Sequence, residues 1–333
     1  EGTFAGAKTA QGNTDDTGYG NFYYTPKTIA SGFLALCSGN LPIPASIDPA
    51  QTDDDFPKEL FFMSQYTGNG TARTITTANQ PDLMFLRHYT TGQDWYTFDS
   101  TRVITDNKVI ITNTTAAESV LPQGNVTSVG ATSVGINSSS WLNSGGSYYQ
   151  MWMWRANGGT TSTNTQGDIN STVQVDPSGG FSIVKYTGTL SGAGTQTVGH
   201  GLSRAPSMFI TKSITTTGNW WVFSDGQTSW NYGMNLQTDG ASADKSGNGS
   251  MSAPTSTVFS TNWTDGLNET NKAMIAYCFA NTDGFISSGS YIANGNADNV
   301  FVYTGFTPAF VLVKGLVSGA AWTLIDNKRD GFN

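Results

Sequence analysis

Charge is scarce in this chain of 333 residues: 12% are charged, with 16 Lys and Arg against 24 Asp and Glu, for a formal net charge of −8. No basic run occurs anywhere, which argues against a nucleic-acid partner, since a phosphate backbone demands clustered Lys and Arg. Long apolar runs are missing too. The longest, MIAYCFA from Met274 to Ala280, falls far short of the ~20 residues a bilayer-crossing helix needs. No signal-peptide pattern opens the chain, and no membrane partner is expected. Histidine is limited to His88 and His200, and cysteine to Cys37 and Cys278. Two Cys and two His spread so widely exclude a zinc site. Both cysteines stand in apolar stretches and read as buried free thiols, and the expected lack of disulfides favours folding in a reducing cytoplasm.

What the chain has instead is 37% hydrophobic and 12% aromatic residues in a background of Gly, Ser, Thr and Asn. That is enough apolar material for real cores, in a composition that favours strands and turns over helices. Nowhere is the i, i+3, i+4, i+7 spacing of an amphipathic helix sustained.

One pattern is written three times: QPDLMFLRHY from Gln80, APSMFITKSI from Ala205 and TPAFVLVKGL from Thr307. Each opens on a proline (Pro81, Pro206, Pro308) and carries a cation six residues on (Arg87, Lys212, Lys314). A tryptophan follows eight or nine residues later (Trp95, Trp221, Trp322), with apolar partners in WYTFD, WVFSD and WTLID. The pattern predicts two antiparallel strands joined by a polar turn, the proline sitting at the strand's first residue. The similarity reaches upstream, where FFMSQYTGNGT matches FSIVKYTGTLS, and downstream, where YYQMWMWRANG matches KAMIAYCFANT. A period of about 100 residues is the size of a self-sufficient domain rather than a solenoid repeat.

The expected fold class is therefore all-β: tandem antiparallel β-sandwich modules of jelly-roll or concanavalin-like type, strung as beads with separate cores. The boundaries read as 51–157 for the first module, 158–179 for a Gly/Ser/Thr-rich linker, 180–282 for the second module and 283–333 for a truncated third. Residues 1–50 read as the C-terminal end of an upstream lectin-like domain. The start at Glu1 and the stop inside a pattern suggest a fragment.

The segments GNFYYTPKTIASGFLALCSGNLP, YTGNGTARTI, GGFSIVKYTGT with TVGHGL, and FVYTGFTPAFVLVKG with WTLIDNKRDGFN resemble tail-fibre-like structural proteins of marine tailed phages. In that family the end of a SPRY-like, concanavalin-type domain precedes tandem β-modules. The resemblance implies a virion appendage segment that meets the host surface. It also implies a homo-oligomer, a trimer as in phage fibres, alongside other virion proteins, and assembly in the host cytoplasm.

No catalytic residue is expected. Glycoside hydrolysis needs two facing carboxylates, whereas Asp99 and Asp326 fall one to a module, with Ser224 then Asp225 in the second. They read as turn-shaping groups, and His200, in TVGHGLSRAP, likewise. The acidic cluster Asp53, Asp54, Asp55 could hold Ca²⁺ but reads first as a solvated connector. Trp152 and Trp154 alternate with Met151 and Met153 and belong in a strand buried on both faces. Trp141, Trp230, Tyr232 and Trp263 lie in polar, turn-rich segments, and Trp141 and Trp263 recur in both modules. An aromatic face flanked by Asn, Asp and Ser can stack on a sugar ring, so these four are the candidate glycan-binding residues. The alternative for them is a ring folded back over the sandwich edge. The functional alternatives are a purely architectural capsid or tail decoration protein without ligand, a polysaccharide depolymerase, and a secreted bacterial adhesin.

Overall fold

Two-sided apolar strands need a cover on each face, and that requirement sets the architecture. In the strand Tyr148–Trp154, Tyr149, Met151 and Met153 join one apolar cluster while Trp152 and Trp154 join another. The computed structural model describes residues 57–329, except 90, 91, 122–125, 177, 179, 265, 266 and 297–299. All of these fall in one unit, Gln51–Asn333. The segment 1–50, Cys37 and the Asp53, Asp54, Asp55 cluster lie outside the described residues.

The described part of the chain is almost wholly β, as the composition predicts. A single helical turn, α1 (Pro57–Leu60), leads into β1 (Phe61–Thr67), β2 (Arg73–Thr76), β3 (Leu83–His88) and β4 (Trp95–Asp99). Next come β5 (Lys108–Ile111), β6 (Ser119–Val120), β7 (Val126–Gly130), β8 (Ser133–Ile136) and β9 (Tyr148–Trp154). Then follow β10 (Ser162–Asn164), β11 (Ser171–Val175), β12 (Phe181–Thr187), β13 (Thr195–Gly199) and β14 (Met208–Ser213). The remaining strands are β15 (Trp221–Ser224), β16 (Tyr232–Asn235), β17 (Ala243–Asp244), β18 (Val258–Asn262) and β19 (Ala273–Phe279). A hairpin, β20 (Phe310–Val313) with β21 (Thr323–Asp326), closes the described region.

The first large sheet runs β1-β9-β3-β4-β5-β6, and the second runs β10-β11-β12-β19-β14-β15-β16-β17. From β1 and β12 onward the two orders correspond strand for strand. Register corresponds as well: Phe61 faces Trp154 as Phe181 faces Phe279, and Leu83 faces Asp99 as Met208 faces Ser224. Each large sheet packs a smaller one, β2-β8-β7 or β13-β18, over its own apolar face. The first sandwich core holds Tyr66, Met84, Leu86, Tyr96, Met151 and Met153 against Ile75, Val134 and Ile136. The second holds Val184, Tyr186, Phe209, Phe223, Met274 and Cys278 against Val198 and Phe259. Cys278 is a buried free thiol.

The Tyr-Thr-Gly repeats work as clamps. Tyr66 Oη donates to Leu142 O at 2.5 Å, and Tyr186 Oη donates to Leu267 O at 2.8 Å. Gly68 N donates to Ser147 O, and Gly188 N to Lys272 O. A Cβ on Gly68 would stand 2.1 Å from Ser144 O, and one on Gly188 would stand 2.3 Å from Glu269 O. Only glycine lets the first strand of each sandwich approach the loop that precedes its last strand.

The outer faces of the two large sheets cover each other over much of their area. They share one cluster, in which Leu83, Ile110, Trp152 and Trp154 pack with Phe181, Ile183, Ile210, Trp220, Val222, Ile275, Tyr277 and Phe279. Phe310, Trp322 and Leu324 of the hairpin join the same cluster. The expectation of beads with separate cores is corrected here, because the modules share a core as large as either of their own. The expected linker is corrected as well. Residues 162–164 and 171–175 form β10 and β11, which extend the second sheet, and Val173 is buried in its core. Alternation in STVQV, short and set among glycines and threonines, is enough to make a strand that pairs with β12 on one side and β10 on the other.

Candidate functional site

The repeated proline-to-tryptophan hairpins supply the polar groups that join one sheet to the next. Arg87 pairs with Trp95 across β3 and β4, and Thr211 with Trp221 across β14 and β15. The register therefore puts Trp220, not Trp221, in the place of Trp95 and Trp322. The spacing from each cation is then eight residues in all three copies. Trp220 Nε1 donates to Ile111 O of the first sheet at 2.9 Å, and Trp322 Nε1 donates to Asn235 O of the second at 2.8 Å. Ile111 and Asn235 occupy the same register position, facing Tyr96 and Trp221.

Asp99 and Asp326 sit at the ends of β4 and β21 in matching arrangements. Asp99 Oδ1 accepts from Arg102 N and Oδ2 from Arg102 Nε, while Arg102 Nη2 reaches Thr97 O. Asp326 Oδ1 accepts from Arg329 N and Oδ2 from Arg329 Nε, while Arg329 Nη2 reaches Leu324 O. Each carboxylate also takes one bond from a neighbouring sheet. Tyr277 Oη donates to Asp99 Oδ2 at 2.8 Å, and Trp152 Nε1 donates to Asp326 Oδ2 at 3.2 Å. Tyr277 and Trp152 are themselves register equivalents on β19 and β9. The four bonds run between first and second sheets, second sheet and hairpin, and hairpin and first sheet, so they close a ring.

These acids hold the fold as well as shaping their turns. Burial works to raise the Asp326 pKa, but the backbone and side-chain bonds from Arg329 outweigh it and keep the carboxyl below its ordinary value. Burial and the Asp99 charge together push the Tyr277 hydroxyl well above its usual range, so it stays a donor. Arg329 also lies over the Trp152 ring at 5.1 Å, Trp152 stacks on Trp95 at 5.0 Å, and Arg87 covers Trp95 at 4.6 Å. The result is a four-member stack in which two guanidinium groups sandwich a pair of stacked indoles.

His200 is fully buried, its Nδ1 accepting from Leu202 N while Nε2 donates to Thr255 O at 3.1 Å. Burial lowers its pKa to about 4. A base neutral in the fold but titrating near 6.5 in the unfolded chain gives its full contribution above that value. The contribution is lost as pH falls toward the folded pKa. Wild-type stability should therefore drop between pH 6.5 and 4 by about 3 kcal/mol more than that of His200→Asn. Chemical denaturation across that window measures the difference. His88 is also buried and stacks on Tyr149 at 4.8 Å.

The candidate glycan residues separate. Trp141 is half-buried, packs on the first core and stacks on Tyr96 at 6.1 Å with an interplanar angle of 6°. Trp230 is half-buried on the second core and lies on Phe209 at 5.9 Å and 4°. Tyr232 opens β16, half-buried. Trp263, which follows β18, is 40% exposed. Trp141 stands one residue before Leu142, the acceptor for Tyr66, whereas Trp263 stands four before Leu267, the acceptor for Tyr186. They are not register equivalents, which is why one ring is folded in and the other faces out. Beside Trp141 the same loop end forms an open polar cleft of about 310 Å³, lined by Gly70, Ser138, Ser139, Ser140, Ser144 and Gly145. Sequence reasoning passed over this cleft, because its walls come from two loops far apart in the chain. Among the described residues no group of three His, Cys, Asp or Glu is placed to hold a metal ion.

The family model of a domain of unknown function, DUF7483, matches residues 56–333. The chain belongs to the DUF7483 family. The matched span of the DUF7483 domain takes in both sandwiches and the β20–β21 hairpin, the set of elements joined by the shared cluster and the ring of bonds. Comparison of this DUF7483 chain with curated proteins and with solved structures returned no match.

Proposed function

We propose that the chain is a structural segment of a phage virion appendage, a tail fibre or comparable projection, whose end loops meet a host-surface glycan. The observation that carries the reading is how the buried polar groups are used. Tyr277 with Asp99 and Trp152 with Asp326 join sheets, and Arg102 holds Asp99 in place, which suits a part that transmits force and leaves recognition to surface loops. The sequence motifs shared with tail-fibre-like proteins support the same reading, and no catalysis belongs to it. On the surface, Trp263 offers an outward ring, and the Ser/Gly cleft offers hydroxyl and backbone partners for sugar hydroxyls. Weak sites of this kind suffice once an appendage presents several copies, since a tethered second contact sees a high effective concentration. A homotrimer in contact with other virion proteins, in the virion, completes the proposal.

A purely architectural role is the second reading, and it draws on Trp141 and Trp230, whose rings lie flat on core aromatics. A glycan array with the purified chain separates the two. The expected result is binding to one sugar class, weakened about 3- to 10-fold in Trp263→Ala, the loss of one ring-stacking contact. An unbound array at high valency would remove the glycan part and leave the architectural role.

A further inference from the structure

The two sandwiches build the same loop end, and the second closes it with a backbone bond that the first leaves open. Gly70 lies four residues beyond Tyr66, where the second sandwich has Leu190 beyond Tyr186. Across from them, Gly145 lies three residues beyond Leu142, where the second has Thr270 beyond Leu267. The neighbouring bonds are common to both: Gly70 N donates to Asn143 O as Leu190 N does to Asn268 O, and Gly146 N donates to Gly68 O as Asn271 N does to Gly188 O. In the second sandwich Thr270 N also donates to Leu190 O at 2.8 Å. In the first, Gly145 N and Gly70 O do not bond each other, and both residues line the Ser/Gly cleft.

The fold does not demand a glycine at position 145. Its φ is not positive, and a Cβ there would lie 3.8 Å from Asn69 C, an ordinary contact. What the missing side chain leaves is room. The walls around that room are held firmly, because the buried Asn143 accepts from Asn69 N and donates to Asn69 Oδ1 and Thr71 O. Ser139 lines the cleft and is only 5% exposed. Its Oγ accepts from Trp141 N at 3.1 Å and from Leu142 N at 3.0 Å. A hydroxyl has two lone pairs and one proton. Both lone pairs are therefore taken, and the proton has no acceptor among the described residues. A buried donor left over in this way is satisfied by an oxygen brought in from outside.

We propose that this cleft binds one neutral sugar residue, with the Ser139 hydroxyl and Gly145 N–H as donors and Gly70 O as acceptor. The inference rests on the glycan reading above and gives it a site and a sugar class. Each sugar hydroxyl both donates and accepts, and the cleft offers both kinds of group. None of its six lining residues is charged, so a carboxylated or sulfated sugar would lose water with no cation to receive it. Its volume of about 310 Å³ is at the small end for ligand pockets.

The test titrates the full chain with the methyl glycosides of glucose, galactose, mannose and N-acetylglucosamine, beside glucuronic and N-acetylneuraminic acids, by saturation-transfer NMR. At least one neutral glycoside should bind, with a Kd of about 1 mM. Gly145→Thr should weaken it at least about tenfold. Threonine is what the second sandwich carries at this place, so the fold should hold, and near-UV circular dichroism checks that it does. Ser139→Ala should weaken it about fivefold, the loss of one hydrogen bond. Binding confined to the two acids would overturn the proposal. Neutral-sugar affinity unchanged in Gly145→Thr but lost in Trp263→Ala would also overturn it, and would leave the glycan reading standing on Trp263. No binding by any of the six would overturn it too, and the glycan array then shows whether the wider reading falls with it.

Discussion

Trp154→Ala should lower the unfolding free energy by about 3–5 kcal/mol, the range for removing a large aromatic from a packed core. The position is chosen because Trp154 touches every part of the shared cluster. Its ring lies 4.8 Å from Phe61 and 5.5 Å from Phe85 in its own sheet, 6.4 Å from Phe181 and 6.1 Å from Phe279 in the second, and 5.5 Å from Phe310 in the hairpin. The cavity would open where three pieces meet, and a strand held in register on both sides by β1 and β3 cannot collapse into it. A change in cooperativity should accompany the loss. The parent chain is expected to unfold over residues 57–329 as one transition, whereas the variant should show two, because the sandwich cores remain while their junction is weakened. Denaturant titrations followed both by tryptophan fluorescence and by far-UV circular dichroism measure this. Coincident single transitions in the variant, with a shift under about 1 kcal/mol, would show that the cluster does not couple the sheets.

Asp99→Ala is expected to cost a similar amount, about 3–5 kcal/mol, for an electrostatic reason. Asp99 and Arg102 are both buried, their closest atoms 2.5 Å apart, and Glu118 at 2.7 Å is the other acid on the guanidinium. Removing Asp99 leaves Arg102 short of half its acceptors inside the fold and leaves the Tyr277 hydroxyl with no carboxylate to receive it. Tyr277→Phe deletes only the bond across the sheets and should cost about 1–2 kcal/mol. The two changes meet at one oxygen, so their effects should not add, and a double-mutant cycle should return a coupling of about 1 kcal/mol or more. A coupling near zero would mean that the Asp99 arrangement serves its own turn and contributes nothing to sheet docking.

Much of this was legible in the chain itself. The alternation of Met151 and Met153 with Trp152 and Trp154 specifies a strand buried on both faces wherever it is placed. The proline at the head of each hairpin and the cation six residues later give the strand start and its length, because both follow from local backbone chemistry and the period of two. The all-β class follows from the same local signals. The clamp is partly legible as well, since Tyr-Thr-Gly recurs, although nothing near Gly68 in sequence says that its missing side chain makes room for Ser144.

Other features were settled only in three dimensions. Trp220 and Trp221 are both aromatic neighbours in one strand region, and only the pairing of Thr211 with Trp221 shows which of them reaches the next sheet. Asp99 and Asp326 read as turn formers from sequence because the Asp-to-Arg spacing is local, while their donors Tyr277 and Trp152 stand more than 170 positions away along the chain. Trp141 and Trp263 look alike in composition and differ in exposure, because one sits directly on the clamp turn and the other before it. A sequence states which faces are apolar. Which apolar face covers which is decided by shape and by the few long-range bonds that only one arrangement satisfies, and that choice turned three hairpin copies into one shared core.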